Sequence, residues 1–176
     1  GLESPAAAAP QVFACEREWA ALSQVIGGDK VSVYSATNGV QDPQQIQARP
    51  SLISKARVAD LTVCTGAELE IGWLPMIVTQ AANKKIAPGS RGVFQPTDYV
   101  NLMEKPASLD RSQGDIHAGG NPHIQADPRN MLPVGKALAD RVAELDPANA
   151  ATYRARYAAF AAKWQVALKK WAAEAA

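Results

Sequence analysis

Both histidines of this chain fall within one short stretch, GDIHAGGNPHIQADP from Gly114 to Pro128. A lone histidine is more often a surface or satisfied residue than a ligand. Two of them, His117 and His123, in a loop rich in Gly and Asp change that balance. Neutral imidazole suits Zn²⁺, and carboxylates complete such a site with hard oxygen donors. Glu68 and Glu70 lie just past a predicted third strand. Glu68 is a candidate ligand, or a partner that fixes the tautomer of a ligating imidazole. The competing reading makes one of the two a carboxylate at a helix N-terminus, favoured there by the helix dipole. Cys15 and Cys64 close two strands predicted to be neighbours. Three states are open to them: buried free thiols, a disulfide, or a thiolate pair for a soft metal. Free thiols are the preferred reading, because free Cys is among the most buried residue types. Covalent chemistry finds less support. The chain has no GxGxxG after its first strand, no GxxxxGK[ST], no GxSxG and no HExxH. Cys15, His117 and His123 are the available nucleophile and bases for an enzyme, but no recognisable arrangement joins them.

These residues need a scaffold, and the hydrophobic pattern supplies one. Gln11–Cys15 is a short apolar run that predicts a first strand. Trp19, Leu22 and Ile26 share one face of a helix over 16–26, which Gly27-Gly28 ends. Lys30–Thr37 alternates and is rich in β-branched residues, as a second strand would be. After a polar loop, Pro50 opens a short helix that buries Leu52, Ile53 and Ala56. Asp60–Thr65 predicts strand three and Arg91–Gln95 strand four. Between them a helix turns Leu74, Ile77, Val78 and Ala81 inward and either starts near Trp73 or kinks at Pro75. Asp127-Pro128 begins another helix, and Asp146-Pro147 restarts the chain with an N-cap and a first-turn proline. From there nothing breaks a helix, which could run for roughly 29 residues, or about 43 Å. Tyr153, Tyr157, Phe160, Trp164, Leu168 and Trp171 make a stripe along it. A helix this long outreaches a small sheet, so part of that face calls for a partner beyond the lobe. Pairing with a second copy, or exchange of the helix, would supply one.

The order β-α-β-α-β-α-β predicts an α/β fold with a four-stranded parallel sheet in the order 2-1-3-4, flanked by helices and followed by the long helix. In such sheets ligands bind outside the carboxyl ends of the strands. That directs attention to Cys15-Glu16, Thr37–Gln45, Gly66–Glu70 and the loop from Asp115 to Asp127. The bulk composition agrees with a globular domain: 176 residues, 47% hydrophobic, 20% charged. With 18 basic and 17 acidic residues, a net charge of +1 and no Lys/Arg run, nucleic acid is a poor partner. Residues 1–10 lack the charged and apolar regions of an intact signal peptide and read as a flexible linker or a leftover from processing.

Several segments together resemble a known family. Asn121-Pro122-His123 through Asp127-Pro128 resembles the N-P-H-x-x-x-D-P segment of periplasmic zinc- and manganese-binding proteins that feed ABC importers. Ala59–Glu70 (ADLTVCTGAELE) is similar to that family's A-D-L-[VI]-x-x-x-G-x-x-x-E segment. Leu145–Tyr153 (LDPANAATY) is similar to the L-D-P-x-[NH]-x-x-x-Y opening of its long linking helix. Thr37–Pro50 sits where the family carries D-P-H-x-[YF]-E-P-[TS]-P. The likeness runs from about Val12 to the end. It implies that His123 coordinates metal and that Asp127-Pro128 begins the next helix. It also sets two departures in relief. The first family histidine falls on Gln44, a neutral amide that is a much weaker zinc ligand, so the site is altered, recruits His117, or is lost. The family has two lobes joined by the long helix, and this chain stops within that helix. The resemblance therefore implies a flexible segment (1–10), an N-terminal α/β lobe (11–145) and a helix (146–176) leading to a second lobe. The implied function is capture of a divalent cation, Zn²⁺ or else Mn²⁺, for a membrane ABC permease, in the periplasm and without catalysis. The candidate ligands are then His123, which the resemblance implies, His117 and Glu68, which the residues themselves suggest, and Gln44, in the place of the family's first histidine.

Overall fold

The computed structural model describes residues 8–36, 50–66, 69–100 and 127–175. Four short strands form one sheet: β1 (Gln11–Ala14), β2 (Ser32–Ser35), β3 (Leu61–Val63) and β4 (Val93–Phe94). All neighbours are parallel and the order is β2-β1-β3-β4, as the sequence predicts. Each strand is shorter than its predicted run, at one or both ends.

The central strand β1 is buried on both faces, and its side chains alternate between two cores. Val12 and Ala14, with Leu61 and Val63 of β3, face one core together with Trp19, Leu22 and Ile26. Those three residues lie on α1 (Arg17–Gly27). The same core takes Val134, Leu138 and Val142 from α4 (Met131–Leu145), and Tyr153 from α5 (Ala150–Ala175). Phe13, Cys15 and Cys64 face the other core. There they meet Leu52 and Ala56 of α2 (Pro50–Arg57) and Ile77 and Ala81 of α3 (Leu74–Ala81). Helix α3 starts one residue past Trp73, with Pro75 in its first turn, where a missing N–H costs nothing; there is no kink to explain.

α1 ends at Gly28, whose φ of 53° is left-handed and whose missing side chain leaves room for the Arg156 guanidinium. Arg156 donates to the Gly27 carbonyl at 2.6 Å and to Asp29 at 2.9 Å, fastening α5 to the end of α1. Asp146 differs from its expected capping role. No backbone N–H at the helix start bonds to its side chain; instead its carboxylate accepts from Asn149 Nδ2 and from the hydroxyl of the fully buried Tyr153. A 3-10 turn over Pro147–Asn149 precedes α5, which spans 26 residues. The aromatic stripe stacks along it, with Phe160 and Trp164 ring centres 5.3 Å apart and Trp164 and Trp171 at 5.4 Å. Trp164 Nε1 also donates to the Pro128 carbonyl at 2.7 Å. Beyond Trp164 the helix is largely exposed, and Trp171 is 42% accessible. No described helix is long and apolar enough to cross a membrane.

Candidate functional site

Because β1 and β3 are parallel neighbours, the residues that follow them leave the sheet side by side. Ala14 opposes Val63, so Cys15 opposes Cys64 across the same edge. The backbone holds this register one step further, with Cys15 N–H donating to Val63 O at 3.0 Å. The two cysteines are joined in a disulfide, their Cα atoms 4.8 Å apart. This corrects the preferred reading of two free thiols. Burial was right, since Cys15 and Cys64 are 0% and 4% exposed. But residues that face each other on adjacent strands stand at bonding distance whatever their general preference.

Glu16 follows Cys15, and its side chain turns back over the end of β3. Its Oε1 accepts from Thr65 N at 3.2 Å and from Thr65 Oγ1 at 2.6 Å. Thr65 Oγ1 in turn accepts from the indole N–H of the buried Trp19 at 2.7 Å. Glu70 comes at the pair from the turn after β3, with Oε2 accepting from Gly66 N at 3.2 Å. Gly66 has a φ of 89°, and a Cβ there would come within 2.5 Å of Thr97 Oγ1, so only glycine lets the turn fold back this tightly. Glu70 is 5% exposed, and apart from the proton it shares with Glu16 no donor reaches its buried Oε1. The pKa of Glu16 is pushed up to about 9, first by burial, then by the negative charge of Glu70 and a hydrogen bond to it; the Thr65 bonds oppose the rise. Glu16 therefore keeps its proton at neutral pH. Glu70 is thus no helix N-terminal carboxylate: α3 starts four residues later, and the Glu70 side chain binds the turn and faces Glu16.

All four predicted ligands, Gln44, Glu68, His117 and His123, lie outside the described residues. Their described flanks are informative. Ala36 and Gly66, the last described residues before Gln44 and Glu68, leave the same edge of the sheet as Cys15. Past His123, the side chain of Asp127 caps the 3-10 turn Pro128–Asn130 by accepting from Arg129 N at 3.0 Å, as the D-P dipeptide predicts. The strand-end rule for parallel sheets singles out Cys15-Glu16 and Gly66–Glu70, but it does not foresee the chain of hydrogen bonds from Glu16 through Thr65 to Trp19. Its sequence signal is faint: an acid directly after a buried strand and another acid past the neighbouring strand.

The family "Zinc-uptake complex component A periplasmic" matches residues 12–176. Among curated relatives, the metal ABC transporter substrate-binding lipoprotein ScbA of Streptococcus cristatus is 27% identical over 145 residues. The iron ABC transporter substrate-binding lipoprotein MtsA of Streptococcus pyogenes is 25% identical over the same length. Each match covers 81% of this chain but 44% of the relative, so the chain spans less than half the length of these proteins. A crystal structure of a zinc-bound ZnuA deletion mutant superposes with a TM-score of 0.72 at 25% identity, over 89% of this chain and 55% of that one. The Mn-bound periplasmic metal-binding protein of Candidatus Liberibacter asiaticus shares the fold, with a TM-score of 0.68 at 21% identity over 86% of this chain and 52% of the other.

Proposed function

The chain belongs to the family of periplasmic zinc-uptake complex component A proteins, and from that premise we propose that it captures a divalent metal ion for an ABC importer. Zinc is the proposed cargo, with manganese the alternative, and the proposed partner is the importer's permease at the membrane. The setting would be the periplasm or another extracytoplasmic space. Residues 11–145 would form the capturing lobe, 1–10 a flexible lead, and the helix from 146 onward a link to a second lobe. His123 is the proposed principal ligand, with His117 and Glu68 beside it and Gln44 standing where the family carries its first histidine.

The observation that carries this reading is the segment Asn121–Pro128. Its histidine lies a few residues before an Asp-Pro turn that caps the way into α4, as in the family segment it resembles. No step in this function requires bond making. The lobe needs preformed ligands on a rigid sheet edge, and the disulfide and the Thr65 hydrogen bonds stiffen that edge. Calorimetric titration with Zn²⁺ tests the proposal. Binding by the chain, lost in His123→Ala, is the expected result. Binding that ignores His123→Ala, or none in either form, would overturn it for this lobe. A competing titration with Mn²⁺ decides the cargo: imidazole-rich sites prefer zinc, and a shift toward carboxylate and amide oxygens favours manganese.

A further inference from the structure

The disulfide and the carboxyl pair lie side by side, and capture of metal by histidines uses neither. Cys15 Sγ and one oxygen from each of Glu16 and Glu70 lie within 4.8 Å of one another. Cys64 Sγ is bonded to Cys15, so a second sulfur lies next to that cluster at the sheet edge. A disulfide sulfur is uncharged and a poor ligand, whereas a thiolate is among the strongest ligands for zinc-class ions. Glu70 adds a second sign. Its Oε1 is buried, in a side chain only 5% exposed, and no donor reaches it other than the proton that Glu16 shares with Glu70. A cation can take the place of that shared proton between the two carboxyl groups. Glu16 itself is half-buried.

We propose that reduction of the Cys15–Cys64 bond opens a second cation site, formed by both sulfurs with Glu16 and Glu70, that takes a thiophilic divalent ion of the zinc class. The reductant is a dithiol. Its thiolate attacks one sulfur to give a mixed disulfide, and its second thiol displaces that bond. The dithiol leaves as a cyclic disulfide, oxidised by two electrons, and Cys15 and Cys64 gain those electrons and two protons. The entering cation then releases the thiol protons to solvent. In tetrahedral coordination, sulfurs about 2.3 Å from zinc sit roughly 3.8 Å from each other. Side chains on Cα atoms 4.8 Å apart reach that spacing by rotation, with the strands still paired.

The test uses Cd²⁺ alone as probe, on the chain carrying His117→Ala and His123→Ala. Removing the histidines separates this site from the proposed cargo site, so either proposal can fail without the other. The chain is reduced with a phosphine, which supplies no competing thiol, and circular dichroism follows its fold. Stoichiometric cadmium should give the ultraviolet thiolate-to-cadmium absorption in the reduced form and none in the oxidised form. Glu70→Gln should weaken that binding about tenfold with both thiols unchanged. Glu16→Gln should do the same and serves if Glu70→Gln does not fold. Absence of the band in the reduced, folded chain, unfolding on reduction, or a band indifferent to both glutamine variants would each overturn the proposal.

Discussion

Glu16 holds a proton that the unfolded chain would release at neutral pH. An acid whose pKa rises from 4.5 to about 9 on folding stabilises the fold fully below the unfolded value and loses that contribution as pH climbs through the folded one. Stability should therefore fall between pH 5 and 9, by at most about 1.4 kcal/mol per pH unit from this group. Glutamine mimics the protonated acid: its oxygen can accept from Thr65 and its amide can donate to Glu70. Glu16→Gln should flatten the slope and raise the thermal midpoint at pH 8, as melting curves across pH would show; an unchanged slope would refute the assignment. Tyr153 offers a second test. Its buried hydroxyl donates to Asp146, and burial followed by that bond holds its pKa well above the usual range. Tyr153→Phe should cost about 1.5–3 kcal/mol by urea denaturation, since the lost bond is to a charged group. At this scale the sequence was partly legible. The L-D-P-x-N-x-x-x-Y pattern marked Asp146, Asn149 and Tyr153, although the hydrogen bonds joining them required helical spacing that no single residue reveals. Glu16 was harder to see, because its partners Thr65 and Glu70 lie some fifty residues away.

Helix α5 is anchored at its beginning and free of the described fold further on. Tyr153, Arg156, Tyr157 and Trp164 bond to Asp146, Gly27, Leu132 and Pro128 in turn. The last five described residues, 171–175, are all exposed. Amide hydrogen exchange should show strong protection from about residue 153 to 165 and a steep decline after it, because local opening follows buried contact. Uniform protection to the end would mean that another surface covers the distal turns. Trp164→Phe should lower stability by about 1 kcal/mol through the lost bond to Pro128. The strands and helices were legible because their hydrophobic periods are clear, and the sheet order followed from right-handed crossovers. The disulfide was not settled in the same way. The strand order made Cys15 and Cys64 neighbours, but it took the register to set them directly opposite each other.

For the molecule as a whole, that bond closes a loop with a sequence separation of 49. A loop of that size removes roughly 4 kcal/mol of chain entropy from the unfolded state. Reduction without metal should lower the thermal midpoint by several degrees while the far-ultraviolet dichroism at 25 °C keeps its native shape; a midpoint that does not move would show that the loop is already ordered when unfolded. The position of the bond carries a further meaning. Side chains on a strand alternate between faces, and Cys15 shares its face with Phe13, not with Ala14. Slipping β1 by one residue against β3 would send the two sulfurs to opposite sides of the sheet. The slipped pairing is thus incompatible with a closed bond, and in a chain folding in an oxidising space the bond would act as a ratchet: once closed, it leaves the native alignment of these two strands open and shuts out the neighbouring register.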